Sequence, residues 1–144
     1  MSRITTFLMF NTGAEEAAKF YASIFKNSKI HASSALSADV ELDGTRLYFY
    51  NGGPHFKFSE GISLFVSCET QEEVDYYWNK LLEGGEPSQC GWLKDKFGVS
   101  WQIVPTALMR LLGDKDRARA NRATQAMLKM VKLDIAELER AANG

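Results

Sequence analysis

The sequence predicts an α+β fold made of two consecutive βαβββ modules followed by C-terminal helices. Three observations predict it: an apolar helical pattern that occurs twice, short β-prone runs around each copy, and a helical segment after Pro105. We place the paired modules at 1–105, as about 1–56 and 57–105, and a helical extension at 106–144. A chain of 144 residues is long enough to bury such a core.

The first module starts with a β-prone run at 5–10 and continues into a helix from Ala14. Asn11 or Thr12 is expected to cap this helix. Its apolar residues recur at i, i+3, i+4, i+7 and i+8: Ala17, Phe20, Tyr21, Ile24 and Phe25. Short strands are expected next, at 29–35, 40–42 and 45–50, with Asp43-Gly44 as a hairpin turn.

The second module repeats this order. A β-prone run at 62–68 is followed by Thr70, which predicts a helix cap, and by Glu73, which completes a capping box. The apolar spacing of the first helix then recurs: Val74, Tyr77, Trp78, Leu81 and Leu82. Gly84-Gly85 ends the helix, and strands are expected at 86–93 and 99–104. The match between the two helices indicates an internal duplication.

The extension is expected to contain a short helical turn at 106–112 and a helix at 116–131. Asp134 is predicted to cap a last helix, with Glu137 three residues later. In the extension as a whole, acidic residues balance the basic ones, which favours a solvated face over a nucleic-acid site.

The last strand of each module alternates between two faces. Trp101 and Ile103 point to one face, and on the other module Leu47 and Phe49 match them, so these residues are expected in the core beneath the helices. The opposite face carries polar and aromatic groups that suit a small-molecule cavity, with Arg46 able to bind a carboxylate or phosphate. The candidates for ligand binding are Arg46, Tyr48, Tyr50, Ser100 and Gln102.

Five segments carry a family resemblance: 14–25, 51–54, 71–78, 90–105 and 126–135. They are similar to the PhnB-like branch of the vicinal oxygen chelate superfamily, which includes glyoxalase I, extradiol dioxygenases and bleomycin-resistance proteins. The resemblance implies that the modules curl into a cup-shaped mixed sheet and that the protein is a homodimer. Members of this branch are sometimes labelled 3-demethylubiquinone 3-methyltransferases.

Relatives in this superfamily hold a divalent metal with His, Glu or Gln from the first and last strand of each module. Gln102 occupies one such place, four residues after the turn at 95–98. The other matched places hold poor ligands for zinc, iron or manganese: Thr5, Tyr48, and Ile62 or Ser63. We therefore expect no metal and no other cofactor.

His55 and Cys90 are further candidates for the ligand site. His55 follows a glycine-rich loop that could place it at the mouth of the cup, although a surface role is favoured. Cys90 could point into the cup, but Lys94 lies too far along the strand to activate its thiol, which favours a buried structural cysteine.

The composition limits the partners. A formal net charge of −1 favours neither nucleic acid nor an anionic membrane, and no apolar run reaches the length of a membrane span. The chain has two cysteines, and its N-terminal residues do not resemble a signal peptide, so we expect a reduced, cytoplasmic protein.

These observations favour a metal-free protein that binds a small, partly aromatic ligand of unknown identity. Two alternatives remain open: a metal-dependent lyase, isomerase or dioxygenase, and a structural or regulatory homodimer with a vestigial site. Methyltransferase activity is not expected, because neither Gly52-Gly53 nor Gly84-Gly85 follows a strand and opens a nucleotide-binding helix.

Overall fold

The computed structural model describes residues 2–144, which divide into two compact units at 2–59 and 60–144. Each unit has the order strand, helix and three further strands, and its strands form one open, four-stranded mixed sheet. The α+β class and the duplication are therefore confirmed. The second unit also carries the three C-terminal helices.

The first unit has one helix on one face of its sheet. Its elements are β1 (Thr6–Phe10), α1 (Ala14–Ile24), β2 (Ser28–Ser33), β3 (Ser37–Leu42) and β4 (Thr45–Asn51). The strand order is β1-β4-β3-β2, in which β1 and β4 are parallel and the other pairs antiparallel. Leu47 and Phe49 are buried against α1, and the Tyr21 ring packs edge-on to Phe49 at 5.8 Å. Their predicted core position is confirmed.

The second unit repeats the topology with strand order β5-β8-β7-β6. Its elements are β5 (Leu64–Cys68), α2 (Gln71–Leu82), β6 (Glu86–Pro87), β7 (Trp92–Lys94), β8 (Ser100–Pro105), α3 (Thr106–Leu112), α4 (Arg117–Met127) and α5 (Ile135–Asn143). Trp101 and Ile103 are buried, as predicted. The helices of the two units bury the same positions of the repeated pattern: Ala17, Tyr21 and Ile24 in α1, and Val74, Trp78 and Leu81 in α2.

The helix caps differ in part from the expectation. The expectation that Asn11 or Thr12 caps α1 was wrong. The helix follows Gly13, and the Ala14 N–H donates to Asn51 Oδ1 at 2.9 Å. The cap therefore comes from the end of β4, which local sequence does not reveal. The predicted cap of α2 is confirmed, because the Glu73 N–H donates to the Thr70 hydroxyl at 3.2 Å.

The β-prone run expected at 86–93 is divided between two short strands, β6 and β7. Residues 88–91 separate β6 from β7, and both Cys90 (φ +60°) and Gly91 (φ +85°) are in the left-handed region. A Cβ added to Gly91 would lie 2.9 Å from the Ile103 carbonyl oxygen and 2.8 Å from Leu133 Cδ1. Glycine is therefore required here by both conformation and space.

The C-terminal extension explains this corner. The Cys90 and Gly91 N–H groups donate to the Met130 and Val131 carbonyl oxygens, both at 2.8 Å. Those carbonyl groups can accept these bonds because α4 ends at Met127. The prediction that this helix extends to residue 131 was therefore wrong. The extension packs its own apolar cluster against the end of β8: Val104, Leu108, Leu111, Ala123, Leu133, Leu138 and Ala142.

Arginines of α4 are used to hold the extension together. The Arg119 guanidinium contacts Asp114 at 2.9 Å, and Arg122 donates to the Ala142 carbonyl oxygen at 2.7 Å.

Among the described residues, no helix is long and apolar enough to cross a bilayer.

Candidate functional site

The sheet of the first unit exposes aromatic side chains on the face opposite α1. Strand pairing places Phe7 beside Tyr48, and Tyr50 follows two residues later on the same face. The rings of Phe7 and Tyr50 are 6.5 Å apart, and all three side chains are exposed. The predicted orientation of Tyr48 and Tyr50 agrees with this arrangement, whereas Phe7 was not singled out from the sequence.

These aromatic rings border a cavity of about 320 Å³. Polar groups from β2, β3 and the turn between them complete its wall. The lining includes Phe7, Ser33, Ser37, Asp39, Tyr48 and Tyr50. The cavity therefore combines aromatic surface with hydroxyl and carboxylate groups, the mixture typical of small-molecule sites.

Arg46 lies on the same face, beside this cavity, but its charge is already matched. Its guanidinium forms a two-point ion pair with Asp39, at 2.5 and 2.8 Å. The hydrogen bonds from Arg46 lower the pKa of Asp39, and those to Asp39 raise the pKa of Arg46. The sequence did not indicate Asp39 as a site residue, because its ion pair with Arg46 joins two neighbouring strands, β3 and β4.

In the second unit, Gln102 occupies the register position that Tyr48 occupies in the first. Gln102 pairs with Phe65 as Tyr48 pairs with Phe7. Its side-chain amide donates to the Ser63 hydroxyl at 2.9 Å. Two of the four matched positions therefore bond to each other in this unit.

Ser100 lines a separate, smaller cavity of about 160 Å³ on the sheet of the second unit. Trp92 and Lys94 line it as well, and the Lys94 ammonium contacts Glu60 at 2.5 Å. Tyr48 and Tyr50 thus line one cavity and Ser100 another, whereas Arg46 and Gln102 line neither.

His55 and Cys90 line neither cavity. His55 is exposed in the loop after β4. Cys90 is half-buried at the left-handed corner before β7. The other cysteine, Cys68, is fully buried, and burial raises the pKa of its thiol to about 12.

The side chains at the superfamily's metal positions do not suit a metal. Within residues 2–144, no group of three or more His, Cys, Asp or Glu side chains is placed to hold one. The matched positions offer hydroxyl, phenol and amide groups, whereas zinc, iron and manganese favour imidazole, carboxylate or thiolate ligands. The residues present therefore do not fit the metal implied by the resemblance.

The turn at 95–98 is a structural element. Asp95 is buried; its Oδ1 accepts the Phe97 and Val99 N–H groups at 2.8 and 3.0 Å. Its Oδ2 accepts the Trp101 indole N–H at 2.8 Å. The conspicuous Asp-x-x-Gly pattern thus fixes the β7–β8 hairpin that positions Gln102.

The two-unit βαβββ architecture is that of glyoxalase, bleomycin-resistance and dioxygenase proteins. A glyoxalase/bleomycin-resistance/dioxygenase domain from Frankia sp. aligns with a TM-score of 0.50 and 15% identity, over 72% of this chain and 92% of that one. Protein PA1353 from Pseudomonas aeruginosa aligns at 0.59 and 19% identity, over 72% and 96%. At these identities the likeness concerns the fold.

A much more similar structure is a PhnB protein from Bacillus cereus described as a putative 3-demethylubiquinone-9 3-methyltransferase. It shares 35% identity at a TM-score of 0.68, over 72% of this chain and 99% of that one. The family model for 3-demethylubiquinone-9 3-methyltransferase matches residues 2–104. The chain belongs to this PhnB-like family of the vicinal oxygen chelate superfamily. No curated protein sequence matches it.

Proposed function

We propose that this protein binds a small ligand carrying an aromatic ring on the exposed sheet face of its first unit, without a superfamily-type metal. The observation that carries the proposal is the group of three exposed rings, Phe7, Tyr48 and Tyr50, around one cavity. Large aromatic side chains are normally buried in part, and exposed groups of them often mark binding sites.

The cavity wall defines the chemistry of the ligand. Ring stacking on Tyr48 and Tyr50 would provide apolar contact, and the hydroxyl groups of Ser33 and Ser37 can donate or accept hydrogen bonds. The Arg46 charge is paired with Asp39, so a ligand carboxylate would have to compete for it. A phenol or another ring with neutral polar substituents therefore fits better than a strongly anionic compound.

The donor set supports a metal-free site. Tyr48 stands where the superfamily pattern would place a metal ligand in the first unit, and Gln102 in the second is bonded to Ser63.

The structural context also gives no support to methyl transfer. Gly52-Gly53 follow β4 and precede a loop, and Gly84-Gly85 follow α2, so neither pair opens a helix that could bind a nucleotide cofactor.

We also propose that the protein works as a homodimer, as the resemblance implies. Exposed apolar residues just before the first strand of each unit favour an interface: Ile4 and Ile62. Light scattering coupled to size exclusion would report twice the mass of 16.2 kDa for a dimer.

Isothermal titration of metal-stripped protein with a panel of phenols and other substituted aromatic compounds tests the binding function. Tyr48→Ala should weaken any hit about fivefold, because an aromatic pair contributes about 1 kcal/mol. Tyr76→Ala on α2, outside both cavities, is the matched control and should leave affinity unchanged. Elemental analysis that found a stoichiometric, tightly held metal would contradict the metal-free site.

A further inference from the structure

We infer that the second unit carries a separate site for a small organic ammonium ion. The site is the cavity of about 160 Å³ lined by Glu60, Glu86, Ser88, Trp92, Lys94 and Ser100. It lies wholly within the second unit, so it does not depend on the function proposed for the first.

Strand pairing brings its polar groups into one row. Glu86 on β6 pairs with Lys94 on β7, and Lys94 pairs with Ser100 on β8. Directly paired residues point to the same face of a sheet, and Trp92, two residues before Lys94, points there too. A carboxylate, an ammonium, a hydroxyl and an indole ring thus face one small cavity.

The charges in this cavity favour a cation. Glu60 contacts the Lys94 ammonium at 2.5 Å, and this bond, with the nearby Glu86 charge, raises the pKa of Lys94. Lys94 is therefore charged, and Glu60 balances it. The Glu86 carboxylate is left in excess, which gives the site a net charge of −1.

Ser100 shows which group of the cavity can bond to a ligand hydroxyl. Its side chain is 3% exposed and makes no hydrogen bond within the described chain. No buried side-chain polar atom of the described residues is left unsatisfied, so the Ser100 oxygen is open to the cavity that it lines. A bound molecule with a hydroxyl group can therefore donate to it or accept from it.

Trp92 defines the rest of the ligand. A cation over the face of an indole ring gains about 0.5–2 kcal/mol, and methylated ammonium groups suit such contacts. A methylated ammonium between Glu86 and Trp92, linked to a hydroxyl near Ser100, matches every group in the row. The ligand class is therefore a small amino alcohol with a charged nitrogen.

Calorimetric titration of the full chain with choline tests this site, with 3,3-dimethylbutan-1-ol as its uncharged isostere. We expect saturable choline binding that weakens as salt rises, and no binding of the isostere. Glu86→Gln should weaken binding about fivefold, the equivalent of about 1 kcal/mol for one charge contact. Glu83→Gln, an exposed residue outside the cavity, should bind choline like the unmodified protein.

The inference would be overturned by no heat with choline at its highest usable concentration, by equal binding of the isostere, or by full affinity in Glu86→Gln. Displacement of choline by acetate or phosphate would also overturn it, because this would indicate an anion site centred on Lys94. Circular dichroism of Glu86→Gln checks that the variant is folded. Weakened aromatic binding in Tyr48→Ala with choline binding unchanged would separate the two sites.

Discussion

The Asp95 carboxylate accepts the indole N–H of Trp101 at 2.8 Å, and both side chains are almost completely buried. The other carboxylate oxygen accepts the Phe97 and Val99 N–H groups. One side chain therefore closes the β7–β8 turn and fixes the orientation of the core tryptophan. Gln102, the next residue along β8, is placed on the opposite face as a result.

Replacing Asp95 with asparagine should destabilise the second unit by about 3 kcal/mol. The asparagine amide keeps one oxygen as an acceptor but turns its NH₂ group towards an N–H donor that Asp95 satisfies. A buried donor without an acceptor costs about 1–3 kcal/mol, and the charge-assisted character of the remaining bonds is also lost. Urea unfolding followed by tryptophan fluorescence measures the change. Asp43→Asn, in an exposed turn, should change stability little; an equally mild effect of Asp95→Asn would contradict this role.

Asn51→Ala should destabilise the first unit by about 1 kcal/mol, the usual cost of losing a helix cap. The substitution removes the acceptor for the Ala14 N–H and the donor to the Ala35 carbonyl oxygen. Thermal unfolding measures the loss. Asn79→Ala, on the exposed face of α2, is the matched control and should be neutral; equal melting of both variants would show that Asn51 does not act as a cap.

Arg46→Gln should reduce stability at neutral pH but not in acid. Because Arg46 lowers the pKa of Asp39 in the folded state, the pair stabilises the fold above the ordinary Asp pKa of about 4, and this contribution is lost as pH falls through the lowered value. The effect should be small, since both side chains are partly exposed. Unfolding curves at pH 7 and in acid should differ between variant and parent only at pH 7; Lys29→Gln serves as control.

Cys68 should resist alkylation in the folded protein. Burial raises the pKa of its thiol to about 12, so little thiolate forms at neutral pH. Because the folded pKa exceeds the unfolded value of about 8.5, this group stabilises the fold below that value and its contribution is lost as pH rises towards 12. Iodoacetamide labelling of Cys90→Ser, read by mass spectrometry, isolates Cys68; rapid labelling before unfolding would refute the expectation.

Gly91→Ala should destabilise the second unit by about 3 kcal/mol. An alanine pays for a positive φ, and its Cβ would collide with the Ile103 carbonyl oxygen and the Leu133 side chain. Gly44→Ala tests conformation alone, because its φ is also positive but nothing lies within 4 Å of its Cβ. Urea unfolding should show the larger loss for Gly91→Ala; equal losses would mean that the close packing at Gly91 contributes nothing.

Periodic features were predictable from the sequence. The helical spacing around Tyr21 and Trp78 gave both helices and the duplication, because burial of one helix face imposes a 3.6-residue period. Strand alternation correctly assigned Phe49 and Trp101 to the core. Both patterns are local, because burial of one face of a helix or strand fixes the spacing of its apolar residues.

Features that depend on distant residues were not predictable. The cap of α1 comes from Asn51, and the break before β7 depends on carbonyl groups of Met130 and Val131. Likewise, the Asp39 partner of Arg46 and the cavity around Ser100 appear only once strands are paired. Sequence spacing alone does not record which strands become neighbours.

The most direct test of the central claim is a two-dimensional NMR titration of ¹⁵N-labelled, metal-stripped protein with substituted phenols. A binding phenol should shift the backbone amides of Phe7, Tyr48 and Tyr50, and Tyr48→Ala should need about fivefold more phenol for the same shifts at Phe7 and Tyr50. Binding that appears only after a divalent metal is added, or no shift at these residues with any phenol, would contradict the claim.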